Sequence, residues 1–206
     1  MTSNTVKEPH KKTLTEEPDI EGPATWSEIL PYFIPVVNIL LGLYFEYYHN
    51  NFFMYLWQIY VIIPILDYTV PVDNYNPSEK RARLMEKDKR YLIPLYCVYF
   101  IDLFTTVWFL HRVSTGDIAT TFGNMVYYAI CLAHIGAMNS VVGHELLHRK
   151  FILHKIAGIS SFGKMLYSHY YIQHVHSHHK MVATPFDAST SYLNESVFQF
   201  FGRTTL

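Results

Sequence analysis

Four apolar stretches leave this chain few folds to choose from. Crossing a bilayer core takes roughly 20 helical residues. Residues 29–48, 52–72, 91–110 and 118–142 reach that length, with Glu46, Asp67 and Asp102 as the only charges in the first three and none in the fourth. Lipid offers a backbone amide no hydrogen-bonding partner, so segments of this kind close their own bonds as helices. The expected fold class is all-α, a polytopic membrane helical bundle of about four transmembrane helices followed by a histidine-rich helical region at the cytosolic face. Pro31, Pro35 and Asn38 weaken insertion of the first stretch without reversing it. His49-Asn50-Asn51 is long enough only for a hairpin turn, so the first two spans run antiparallel.

Charged residues make up 16% of the chain, against roughly 25% in a soluble domain. The near balance of 16 Lys+Arg and 17 Asp+Glu excludes the basic footprint of a nucleic-acid binder. Residues 1–27 are polar, with no apolar core or cleavage pattern, and read as a disordered cytosolic tail ahead of one membrane domain, 28–206. Lys80, Arg81, Arg83, Lys87, Lys89 and Arg90 crowd the linker after the second span, whereas the opposite turns hold only Arg112. That asymmetry puts the linker and both termini in the cytosol, as an integral multi-pass protein. Orientation is all those cations are expected to provide.

In the fourth span Ala129, Ala133 and Ala137 recur at i, i+4, and Gly136 and Ser140 lead along a second stripe to His144. Small residues at that spacing let helices approach closely in lipid. His134 reads as a packed or hydrogen-bonded helix residue. Cys97 and Cys131 lie in apolar stretches without a CxxC pair, so no cysteine metal site or disulfide framework is expected. Any metal must be held by histidine and carboxylate.

Eight of the 12 histidines fall between His144 and His179. His144-Glu145-Leu146-Leu147-His148 places two imidazoles one helical turn apart, the spacing two ligands of one metal require. HExxH alone is ambiguous: it is the zinc-protease signature with Glu145 as general base, and equally half of a non-haem iron site. The second cluster, Gln173-His174-Val175-His176-Ser177-His178-His179, adds His174 and His178 on one α-helical face and His179 at its edge. Five imidazoles exceed the three protein ligands of a catalytic zinc. A histidine-rich centre with more than one metal fits better, and imidazole suits iron. His154, His169 and His176 read as surface or supporting residues.

His144 to Arg149 resembles the first histidine box of the membrane alkane 1-monooxygenase family, within the fatty acid desaturase/hydroxylase superfamily. His174 to Ser189 resembles its second box, including the tail Val182-Ala183-Thr184-Pro185-Phe186-Asp187, and Pro64-Ile65-Leu66-Asp67 with Asp73 and Asn76-Pro77 resembles its segment after the second span. Gln173 stands where the family usually has Glu, and Ser177 where it usually has Gly. The family's third histidine box has no counterpart in these 206 residues. The resemblance therefore implies a C-terminally truncated member whose second iron site is incomplete.

The resemblance implies a two-iron, non-haem centre held here by His144, His148, His174, His178 and His179. It implies hydroxylation of the terminal methyl of an alkane or related lipophilic substrate, entering from the bilayer. Electrons would come from rubredoxin and an NAD(P)H-dependent rubredoxin reductase. Both are separate proteins, because the chain holds neither a dinucleotide motif nor a four-cysteine iron site. Arg149, Lys150 and Lys155 are candidates to steer an acidic donor, and Trp57 or Trp108 to close a substrate channel, although membrane anchoring and packing explain each of these as well. Three alternatives stay open: a fatty acyl, sterol or aryl-methyl hydroxylase or desaturase of the same superfamily, an inactive fragment, and an intramembrane zinc protease.

Overall fold

A computed structural model describes residues 22–71, 77–118 and 121–205. Residues 1–21 of the expected tail, 72–76 at the end of the second stretch, and 119–120 in the fourth lie outside the described residues. The rest is helical: α1 (Trp26–His49), α2 (Phe53–Thr69), α3 (Glu79–Lys87), α4 (Leu92–Ser114, entered through a 3-10 turn at Lys89–Tyr91), α5 (Phe122–Leu147) and α6 (Ile152–Gly163). A π-helical segment, Ile172–His178, runs into the short turn His179–Met181, and α7 (Val197–Thr205) follows. No strand occurs among the described residues.

Three helices are long and apolar enough to cross a membrane: Trp26–His49, Lys89–Ser114 and Phe122–Leu147. The second stretch differs from expectation, folding as the shorter helix α2. Its length of about 25 Å at 1.5 Å per residue falls short of a core of about 30 Å. Val70 turns extended (φ -80, ψ 132) because it precedes Pro71, which clashes with an α-conformation before it. A π-turn at Gln58–Ile62 interrupts the helix midway.

Asn50 takes the left-handed conformation (φ 48) that Asn tolerates, and turns the chain from α1 into α2. The two helices then touch closely: a Cβ on Gly42 would lie 2.9 Å from the Tyr55 Cβ. Phe52, Tyr55, Phe109, Cys131 and Ile135 form the centre of the core, with the Phe52 ring 5.5 Å from Tyr55 and 5.3 Å from Phe109. At this end of the bundle Glu46 is fully buried, and its Oε1 accepts from Arg112 (2.5 Å) and from the Tyr128 hydroxyl (3.1 Å). Arg112 also donates to the Asn50 side chain, so one ion pair joins α1, α4 and α5.

Two expectations are corrected at the other end. Arg81 does more than orient the chain: it is 2% exposed, donating to Glu28 Oε1 at 2.9 Å and Oε2 at 2.5 Å, and to the Gly22 carbonyl at 2.8 Å. Arg90 donates to the Ala24 carbonyl and pairs with Asp88. The linker thus clasps the chain just ahead of α1. The alanine stripe of α5, for its part, faces outward, with Ala129, Ala133 and Ala137 all exposed. Close packing falls instead to Gly143 and Gly158: a Cβ on Gly143 would lie 2.8 Å from Ser161 Cβ, and one on Gly158 2.8 Å from the Gly143 carbonyl. Successive contacts of Gly158 with Leu147, Ser161 with Gly143 and Met165 with Gly136 show that α6 runs antiparallel along α5.

Candidate metal centre

The last turn of α5 carries His144 and Glu145, and His148 caps it. The second histidine group is presented by the π-helical segment, whose i→i+5 bonding widens the turn. Residues five apart then become neighbours along with those four apart, and this decides which imidazole joins the cluster. His174 Nε2 lies 2.6 Å from His144 Nε2, 3.3 Å from His148 Nε2 and 2.9 Å from His179 Nε2. His148 and His144 are 3.2 Å apart, and one ligand atom from each of the four rings lies within 4.8 Å of all the others.

Of the five expected ligands, the structure brings these four together. His178 sits beside them, its ring stacked on His174 at 5.4 Å, while its Nδ1 meets Asp187 Oδ2 at 2.8 Å. Asp187 is itself pinned by the Ser189 amide (3.1 Å) and the Thr190 hydroxyl (2.5 Å). A carboxylate only accepts, so His178 donates from Nδ1 and keeps its lone pair on Nε2. A carboxylate behind an imidazole in this way is the usual support of a metal-binding histidine. Asp187 entered the sequence reading only as part of a motif, and nothing in its spacing marked it as the partner of His178. Tyr170 was missed entirely: its ring stacks on His174 (5.0 Å, 8°) and on Phe162 (4.0 Å, 20°), walling the cluster. Its position four residues before His174 was the available signal.

The four-ring arrangement fits a metal ion better than a hydrogen-bonded network. A neutral imidazole has one N–H, yet His174 Nε2 faces three other ring nitrogens, so most of these contacts oppose lone pairs. Bonds of about 2.0–2.1 Å to a common tetrahedral ion would separate adjacent nitrogens by about 3.3–3.4 Å; the two His148 contacts, 3.2 and 3.3 Å, match this, whereas His174 lies closer to His144 and His179. Burial and the neighbouring imidazoles His144, His179, His148 and His178 push the His174 pKa down to about 4, so the ring is in its ligating, neutral form at pH 7. A cavity of about 310 Å³, lined by Ser140, Val141, His144, Phe162 and Tyr170, opens directly beside the cluster.

Glu145 is not among the converging groups. It pairs with Arg149 (2.6 Å) and lines a separate cavity of about 500 Å³ with Tyr32, Met85 and Tyr91, which leaves a zinc-protease base badly placed. The other histidines lie apart. His154 Nδ1 meets the Tyr96 hydroxyl (2.6 Å), and His134 bonds the Tyr60 hydroxyl (2.5 Å) and the Ile130 carbonyl (2.7 Å). His169 and His176 are exposed.

No family model matches the chain. Its similarity to individual proteins is nevertheless consistent. It is 27% identical over 144 residues to alkane 1-monooxygenase of Pseudomonas putida, a match covering 68% of this chain and 35% of that protein. It is 30% identical over 151 residues to alkane 1-monooxygenase 1 of Alcanivorax borkumensis, covering 70% and 35%. Along the part it shares with them, the chain is similar to the alkane 1-monooxygenases. It spans about a third of the length of the curated relatives it matches. Gln173, beside His174, accepts from the Tyr167 hydroxyl (2.7 Å).

Proposed function

We propose that these residues form the first part of a non-haem diiron centre in an alkane 1-monooxygenase, hydroxylating the terminal methyl of an alkane or related lipophilic substrate. The observation that carries this is the convergence of four imidazoles, with His178 and Asp187 beside them, in a chain similar to that family. In this reading His144, His148, His174 and His179 hold one iron and His178 opens the ligand set of the second. The metals would supply the dioxygen chemistry needed to break an unactivated C–H bond, which lies beyond any side chain.

The protein's own groups bind, orient and exclude water. Tyr170 and Phe162 shield the cluster and shape the adjoining cavity, where an apolar chain arriving from the bilayer meets His144. Asp187 holds His178 in the tautomer that leaves Nε2 available. The chain lies in the membrane as a multi-pass protein with both termini cytosolic, and the histidines face the cytosol. There a rubredoxin, reduced by its NAD(P)H-dependent reductase, delivers electrons. Lys150 is exposed and serves as a steering cation, whereas Arg149 is engaged by Glu145.

Metal analysis of the detergent-purified chain tests the reading. Iron should bind to the wild type and be lost in His174→Ala and in His148→Ala, while Glu145→Gln retains it. Metal that survives His174→Ala but not His148→Ala would overturn the proposal in favour of a zinc site built on HExxH alone.

A further inference from the structure

We propose that α6 and the turn after it form a re-entrant hairpin that dips from the cytosolic side into the bilayer and faces lipid, held there by an intramembrane ion pair. The proposal rests on the membrane reading above and on the packing of α6 between α4 and α5. Three polar pairs step down the α4–α6 seam. The Tyr96 hydroxyl meets His154 Nδ1 at 2.6 Å, the Tyr99 hydroxyl meets Ser160 Oγ at 2.9 Å, and Lys164 pairs with Asp102. Asn139 of α5 donates to the same Asp102 oxygen at 2.6 Å. Asp102 and Asn139 are 2% and 1% exposed, so the carboxylate end of the last pair is sealed inside the protein, while the Lys164 side chain stays 19% exposed.

Depth follows from helix geometry. Asp102 sits ten residues into the 23-residue α4, about 15 Å from its cytosolic start and near the middle of a core of about 30 Å. Lys164, just past the end of α6, reaches that level. Met165 reaches Gly136, well down α5 from His148. Away from the seam α6 presents Ile152, Leu153 and Ile156, all exposed, with no polar partner. The tip of the hairpin is Leu166, 91% exposed and held at φ 60. An exposed apolar tip is unfavourable in water and suits acyl chains. Acyl chains are therefore the occupant of this surface, and the returning segment of the hairpin brings the π-helical histidines back to His144. Ion pairs inside a membrane occur where they face the protein interior and hold a functional element in place.

Spin labels measure the depth. In a background with Cys97 and Cys131 replaced by Ala, single cysteines at Ile156, Leu166, Phe100 and Arg83 are labelled and the protein reconstituted into phosphatidylcholine nanodiscs. Relaxation by dissolved oxygen and by water-soluble chromium oxalate is then compared. The label at Leu166 should match Phe100, which is 60% exposed on the middle of α4, with chromium access several-fold below that at Arg83, and the label at Ile156, nearer the start of α6, should fall between the two. Chromium access at Leu166 equal to Arg83, with Phe100 still protected, would overturn the hairpin; loss of protection at Phe100 as well would instead overturn the membrane reading. Asp102→Ala, which leaves Lys164 unmatched, should raise chromium access at Leu166 several-fold, and Asp102→Leu with Lys164→Met should restore protection. An unchanged Leu166 signal in Asp102→Ala would remove the ion pair as the anchor, and the wild-type depth measurement stands whether or not a variant folds.

Discussion

The two ends of the bundle use converging polar groups in opposite ways. At the Glu46 end a carboxylate meets a guanidinium and a phenol, and the charges of α1 and α4 cancel within the protein. At the histidine end four imidazoles turn their nitrogens toward one another with too few protons to link them. A cluster that compensates its own charge holds helices together. One that concentrates unmatched lone pairs is built for something the chain does not itself contain. α5 contributes to both, so polarity alone does not separate a clamp from a site; donor balance does.

The sharpest way to break the comparison is to unbalance the clamp. Glu46→Ala strands the Arg112 guanidinium, and breaking a buried pair in this way costs about 3–5 kcal/mol. The variant should unfold at markedly lower temperature in detergent while the folded fraction binds metal as the wild type does. A loss of metal at full stability would erase the distinction between the two ends.

A smaller effect is expected at the histidine end. Asp187→Ala removes the acceptor behind His178, and supporting groups of this kind are typically worth about 10–100-fold in metal affinity. Competition with a metal indicator should show that loss with helicity unchanged, and Asp187→Glu should recover part of it. Equal affinity in wild type and Asp187→Ala would leave Asp187 as a loop anchor only.

The smallest effect is a pH dependence confined to the metal-free protein. His174 is held down to about 4, against 6.5 for a free imidazole. The unfolded chain therefore takes up its proton first as pH falls, and the folded state loses stability from about 6.5 down toward 4. Thermal unfolding of the apoprotein should weaken across that window, and His174→Ala should flatten the slope. A profile unaltered by the substitution would assign the acid sensitivity elsewhere.

Much of this was legible in the sequence because lipid imposes a simple rule. Long runs without charge become helices, and α1, α4 and α5 follow from that rule together with the break at Val70–Pro71. His144 and His148 were readable as a pair, since both sit on one turn of an ordinary helix. The residues of the second histidine group were named through the family resemblance, but their arrangement was not readable, because α-helical spacing puts His178 beside His174. A π-turn, which depends on how the segment packs against α5, brings His179 into the four-ring cluster instead. The same limit hid the roles of Arg81 and the outward-facing alanines: a cation in a linker and a small residue in a span look alike whether they are buried or exposed.

By itself the sequence determined that the chain builds membrane helices, that histidine and carboxylate rather than cysteine are its candidate metal ligands, and which family the histidine motifs resemble, because these follow from residue type and short spacing. Only the tertiary structure decided which imidazoles converge, that Glu145 turns away from them, and that Asp102 finds Lys164 across 62 residues. Those outcomes depend on backbone approach at Gly143 and Gly158 and on the register of α6 against α5, which no local pattern encodes.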